Sequence, residues 1–307
     1  MPKNVTRPPS SARGVSERDG VGAVVDGKNL TLKSVAQLLK SKARLDLAPE
    51  ALEAVKRSRA IVETRARGEK ALYGINTGFG VLAHERIPTK DLERLQHNLI
   101  LSHAVGAGDE VPAEIVALML LFKVNGLAVG LSGVRPVVIE YLIRFYNEGV
   151  YPIVYTKGSL GASGDLAPLA HLTLPLLGMG EVYRGEIRMP AGQVLKELDL
   201  APLRLEAKEG LALINGTQFM TAYAVHCLLR IQQLLVTADV VAAMTLESIR
   251  GSAAPFDARI HEARPHPGQK KVAARMRRLL RGSHGFLKLR TYNWGDGSRR
   301  RHRPASP

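Results

Sequence analysis

Cysteine is nearly missing from this chain: Cys227 is the only one in 307 residues. No intrachain disulfide can form, and the sequence predicts a reducing compartment, the cytoplasm. Aromatic residues are also scarce, at 5%. With Ala, Leu and Val abundant, that balance points to helix packed on helix. Long apolar runs are lacking too. The longest apolar tract, around residues 115–134, is broken by Lys123 and Asn125, so no segment reads as a membrane span. The opening MPKNVTRPPSSARGVSERDG has no apolar core of the kind that directs secretion. Acidic residues are the scarcer sign, 28 against 43 Lys+Arg. A net charge of +15 would ordinarily raise nucleic acid as a partner. However, residues 251–307 hold 14 of the basic residues and only 3 of the acidic ones. The first 250 residues are nearly balanced, which argues against nucleic acid and assigns the basicity to the tail. No spacing of His, Cys, Asp or Glu suggests a metal site.

The chain is long enough to bury a core, and 45% of its residues are hydrophobic. Residues 1–20 are polar and rich in Ser, Arg and Pro, which predicts disorder. Helical patterning covers 30–68, and YGINTGFG (73–80) is too glycine-rich for either regular element. Thr89 after Pro88 reads as a helix N-cap. In that helix Leu92, Leu95, Leu99 and His103 share one face. Helices are predicted from Pro112 to about Val129 and after GLSGVRP (130–136), followed by an extended VYPIVYTK (150–157). A small hairpin is predicted in EVYRGEIRM (181–189), turning at Arg184-Gly185. After Asn215 the helical pattern is too long for a surface helix, and predicts a central helix packed on several sides.

The stretch GSLGASGDLAPLAH (158–171) sets three glycines around one serine. A phosphate loop needs Gly-Lys-Ser/Thr, whereas here the last glycine is followed by Asp165, which repels phosphate. Glycine at every third position also fails the dinucleotide fingerprint. The nucleophile elbow G-x-S-x-G fits until Asp165 takes the final glycine position, and neither His226 nor His261 stands in a context that would serve it. The bland alternative is a glycine turn leading into a helix capped by Ser163 or Asp165. That alternative leaves the recurrence of YGINTGFG and NGTQ unexplained.

Together, GSLGASGDLAPLAH (158–171), YGINTGFG (73–80), NLILSHAVGAGD (98–109) and EGLALINGTQ (209–218) resemble the aromatic amino-acid ammonia-lyases. The resemblance runs from about residue 28 to residue 282. It implies a mainly α, fumarase/aspartase-like helical-bundle lyase fold, with a smaller N-terminal domain holding the active-site loops. It divides the chain into an extension at 1–27, a lyase domain at 28–210, the start of the central bundle at 211–282, and a divergent basic tail at 283–307. In the family, Ala-Ser-Gly cyclises on itself. Carried over here, Ala162, Ser163 and Gly164 would form 4-methylidene-imidazol-5-one, with no metal and no pyridoxal phosphate. The residue types suit ring closure: Ala162 is small, Ser163 supplies a hydroxyl to eliminate, and Gly164 lets its nitrogen come close. Asp165 would hold the strained turn, and Gly80 would support the neighbouring loop.

By the same resemblance, Tyr73 is the base that removes the β-proton of the substrate. An ordinary phenol, with a pKa of roughly 10, is protonated at neutral pH, so this role demands a lowered value. His103 matches the position that sets side-chain preference, and Ser102-His103 resembles the histidine-selective form, which converts L-histidine to trans-urocanate and ammonia. Tyrosine lyases and aminomutases on the same scaffold are the alternative. Asn215 would contact substrate or ring, and could also cap the long helix. His97 reads as surface, and His171 as loop support.

Family chains run further than this one. After LLRGS (279–283) the sequence reads HGFLKLRTYNWGDGSRRRHRPASP, without apolar periodicity, where the family carries further active-site residues. The tail reads as out-of-frame translation or a disordered addition. Family enzymes are homotetramers whose sites combine several subunits. A shortened chain is therefore expected to lack part of its site, to leave the long helix partly uncovered, and to associate. A catalytically silent fragment is the remaining alternative.

Overall fold

The computed structural model describes residues 22–41 and 43–283. The extension up to residue 21 and the tail from residue 284 lie outside the described residues. The chain is mainly α, 59% helical, and divides into two compact units, Met1–Cys227 and Leu228–Pro307.

The first unit begins with β1 (Ala23–Val25), α1 (Leu32–Ser41), β2 (Leu45–Leu47) and α2 (Pro49–Arg67). The first strand corrects the boundary expected at residue 27. It pairs in parallel with β2, with Ala23 opposite Leu45, and both Ala23 and Val25 are buried. Three residues are too few for periodicity to register, so only the pairing partner reveals the strand. A 3-10 turn (Thr89–Asp91) leads into α3 (Leu92–His103). Thr89 opens that turn and supplies no side-chain cap, contrary to expectation.

After β3 (Ala107–Glu110) come α4 (Ala113–Ala128) and α5 (Pro136–Asn147), which pack on each other. Every residue of α4 from Ile115 to Val124 is buried. A helix apolar nearly all round has no solvent face and must sit inside, and each buried Leu, Ile, Val, Met or Phe side chain contributes about 1.5–3 kcal/mol. By contrast, α5 buries one stripe, Val138, Ile139, Leu142 and Phe145.

The extended stretch 150–157 is two strands in different sheets, β4 (Val150–Pro152) and β5 (Tyr155–Lys157). β5 pairs antiparallel with β3, so the chain leaving α3 lies beside the chain entering the glycine stretch. There follow α6 (Leu166–Thr173), β6 (Glu181–Arg184) and β7 (Ile187–Pro190). Arg184 pairs with Ile187, which moves the hairpin turn to Gly185-Glu186, and β4 completes this sheet against β6. Then come α7 (Ala191–Glu197), α8 (Glu209–Ile214) and α9 (Gln218–Ser248). Because α8 packs on α3 and α6, the boundary expected at 210/211 moves to 227/228, within α9.

In the second unit the end of α9 is followed by α10 (Ala258–Ala263) and α11 (Pro267–Leu279). Ala243, Met276 and Leu280 form its small core. The expected all-round packing of α9 is not found: Leu234 is 66% exposed and Met244 61%. The stretch Glu209–Ser248 holds an 18-residue window with a mean hydropathy of 1.5 and is, by length and composition alone, able to cross a membrane, which corrects the reading that no segment is. The helix also carries Arg230 and Asp239, and apolar helices that pack in soluble assemblies meet the same criterion.

Candidate active site

Ala162 and Ser163 are exposed at the apex of the glycine stretch, while Asp165 is fully buried beneath them. Gly164 has φ +110°, which L side chains rarely adopt. A Cβ there would stand 2.6 Å from the Gly216 carbonyl oxygen. That approach lets the Asp165 amide donate to the same oxygen at 2.7 Å. The Asp165 carboxylate accepts from the Ser159 hydroxyl at 2.8 Å and from the Met220 amide at 2.9 Å. Asp165 precedes α6, but its side chain does not cap that helix. It bolts the apex to the start of α9 instead. Asn215 Nδ2 donates to the Ser163 carbonyl at 2.8 Å. Asn215 follows α8 as its C-cap and lies three residues ahead of α9, which begins at Gln218.

The short helix α8 is the hub of the site. Gly74, next to Tyr73, lies so close to it that a Cβ would meet Leu211 Cδ2 at 2.4 Å. From α3, buried Gln96 accepts from the Leu211 amide at 3.3 Å. From α4, Lys123 Nζ donates to the Ala212 carbonyl at 3.4 Å. Asn215 then reaches Ser163. Four sequence-distant segments are thus registered against α8 and the residue that follows it.

Tyr73 is 60% exposed, with its ring edge-on to Phe79 at 5.9 Å. Gly80 has φ +59° and open space around it, as the start of a short 3-10 turn. His103 is half-buried at the end of α3, with Nδ1 2.8 Å from the Leu99 carbonyl. A carbonyl only accepts, so Nδ1 carries the proton and Nε2 is left as an acceptor. His97, which reads as surface, is half-buried. His226 lies 3.6 Å from Glu114. His261 is bonded to the Pro255 carbonyl and Gln269.

His171 holds the segment after His103: its Nε2 accepts from the Gly106 amide at 2.9 Å, and its ring is edge-on to Tyr155. Burial pushes its pKa below the usual 6.5, because a proton would cost both desolvation and this bond. The unfolded chain then binds more protons in the window below 6.5. Stability is therefore full above that value and lost as pH falls through the lowered one. His171→Leu is expected to cost about 1–3 kcal/mol by orphaning the Gly106 amide. It should also flatten the acid limb of stability measured by urea unfolding between pH 7 and 5.

Two features went unread in the sequence. Lys123 registered only as a break in an apolar tract, yet it is 2% exposed inside α4. Burial pulls its pKa down to about 7, against the opposing charge of Asp165. Glu209, fully buried, receives Arg135 through Nε at 2.9 Å and Nη2 at 2.7 Å, and the Glu206 amide at 2.8 Å. Arg59 Nη1 lies 3.8 Å from it. A charge inside an apolar helix was the available signal for Lys123. For Glu209 there was none, because the arginines that pair with it are distant in sequence. Among the described residues no group of three or more His, Cys, Asp or Glu could hold a metal ion.

An exposed Ala-Ser-Gly apex, a glycine at positive φ, and clamps on either side of the serine fit a self-processing tripeptide. Comparison with known proteins places the chain in a family. The family described as aromatic amino acid lyase matches residues 30–303, reaching beyond residue 282, where the resemblance was expected to end. This chain belongs to that family. It is 51% identical to the histidine ammonia-lyase of Geobacillus thermodenitrificans over 85% of its own length and 52% of the relative's. It is 49% identical to that of Myxococcus xanthus, over 84% and 51%. Among solved structures it is similar to tyrosine aminomutase from Streptomyces globisporus, with a TM-score of 0.82, 38% identity, and coverage of 87% and 50%. It is also similar to histidine ammonia-lyase from Trypanosoma cruzi, with a TM-score of 0.77, 37% identity, and coverage of 83% and 50%. The chain spans about half the length of the relatives it matches.

Proposed function

We propose that this chain is the N-terminal portion of a histidine ammonia-lyase, which eliminates ammonia from L-histidine to leave trans-urocanate. The observation that carries the reading is the clamped, exposed apex at Ser163. Ring closure there is a reaction of the chain on itself. The Gly164 nitrogen bonds to the Ala162 carbonyl carbon, and that oxygen leaves as water with the amide protons of Gly164 and Ser163. The Ser163 hydroxyl leaves as a second water with its own α-proton. The resulting 4-methylidene-imidazol-5-one supplies an electrophile that ordinary side chains lack.

In this reading the protein's groups do the rest. Asn215 and Asp165 hold the apex, and Gly80 supports the loop of Tyr73, which takes the β-proton. His103 Nε2 offers an acceptor to an imidazole N–H, the chemistry that distinguishes histidine from a phenol. The exposed apolar side of α9 supports assembly with further subunits, as a homotetramer in the complete enzyme, and the single cysteine suits the cytoplasm. A tyrosine-directed activity is the second reading, favoured by the similarity to the aminomutase.

Intact mass is the direct test. The purified chain is expected to weigh two waters less than its sequence, and Ser163→Ala to show the full mass. An unprocessed parent chain would overturn the reading for this chain. Ultraviolet detection of urocanate against coumarate, in the complete enzyme, would decide between histidine and tyrosine.

A further inference from the structure

A lysine in the middle of an all-round buried helix demands a reason. Removing an ammonium group from water costs several kcal/mol, and an apolar side chain of the same volume would serve packing as well or better. Lys123 instead stands at the junction of three site segments. It projects from α4, donates to the Ala212 carbonyl in α8, and faces the charge of Asp165 below the apex. Ala212 lies three residues before Asn215, which holds the Ser163 carbonyl. Asp165 ties the other side of the apex to Gly216 and Met220. The Asn215 clamp therefore has Lys123 behind it through α8, and the charge of the buried Asp165 carboxylate acts on the same ammonium group.

We propose that Lys123 is a positioning residue for maturation: its buried cation holds the Asp165 carboxylate and the end of α8 in the register that presents Ala162, Ser163 and Gly164 for ring closure. The proposal rests on the self-processing reading above. It separates charge from packing. Lys123→Met fills the same space without charge, and Lys123→Gln keeps a neutral donor for Ala212. Lys123→Arg keeps the cation.

The test uses the full chain, with two readouts: the fraction lighter by two waters over time, and hydrogen exchange at the Asp165 and Met220 amides. Lys123→Met is expected to melt no lower than the parent, yet to dehydrate at least tenfold more slowly and to exchange both amides faster. Lys123→Gln should behave likewise, and Lys123→Arg should recover part of the rate. Parent-like dehydration in either neutral variant that folds would overturn the proposal. If the parent itself is not dehydrated, the maturation reading fails separately, and exchange alone decides. Amides protected in the parent and released in the neutral variants would support Lys123 as the holder of the clamps, whereas equal protection would overturn it.

Discussion

Gly164→Ala is expected to leave the chain at its full, unprocessed mass and to destabilise it. The backbone at Gly164 has φ +110°, and an added Cβ would stand 2.6 Å from the Gly216 carbonyl oxygen and 3.0 Å from the Gly216 nitrogen. Those neighbours are backbone, so the apex must move away. In moving, it breaks the bond from the Asp165 amide to Gly216. Strain of this kind costs about 1–3 kcal/mol, and the loss of ring closure should be complete. Gly185→Ala is the control. That glycine also has positive φ, +62°, but nothing lies within 4 Å of a Cβ there. It should cost about 1–2 kcal/mol and leave the mass change intact. Mass spectrometry and urea unfolding read both variants. A Gly164→Ala chain that loses both waters would show that the observed approach to Gly216 is not needed for closure.

Glu209→Ala carries the second large effect, and it acts through stability. Glu209 is fully buried and neutralises Arg135, whose guanidinium it meets with both oxygens, beside Arg59. The Arg59 side chain is 6% exposed, so it cannot turn to water for a replacement. Removing one partner of a buried ion pair costs about 3–5 kcal/mol, and Arg135 would be left with only Glu206 and the Arg204 carbonyl. The same side chain holds the Glu206 amide just ahead of α8. Urea unfolding should register the full loss in Glu209→Ala. Glu209→Gln, which keeps the shape and one acceptor, should fall between it and the parent. Equal stability of Glu209→Ala and parent would mean that Arg59 and Arg135 are satisfied by their remaining partners, Glu206 and Glu63.

Local chemistry made several elements readable. The buried run of α4, the stripe of α5 and the length of α9 all follow from patterns within one segment. The glycine spacing around Ser163, with Asp165 after it, was enough to reject two nucleotide-binding loops and to mark this backbone as used. What failed was whatever depends on a partner far along the chain. β1 is invisible without β2, and Thr89 gave way to a 3-10 turn that fits the entry into α3. The expected domain boundary fell at α8 because nothing local shows that this short helix packs backwards onto α3 and α6.

The sequence by itself determined the helical class and marked the glycine stretch around Ser163, because both depend on side-chain type and short spacing; the roles expected around that stretch came from the family resemblance. Only the tertiary structure decided how that stretch is held. It put Asn215 on the Ser163 carbonyl and turned Asp165 from a helix cap into a bolt to Met220. It also buried Lys123 in α4 with its Nζ on the Ala212 carbonyl of α8. These are contacts between residues tens of positions apart, and their energy depends on burial, which no local pattern records.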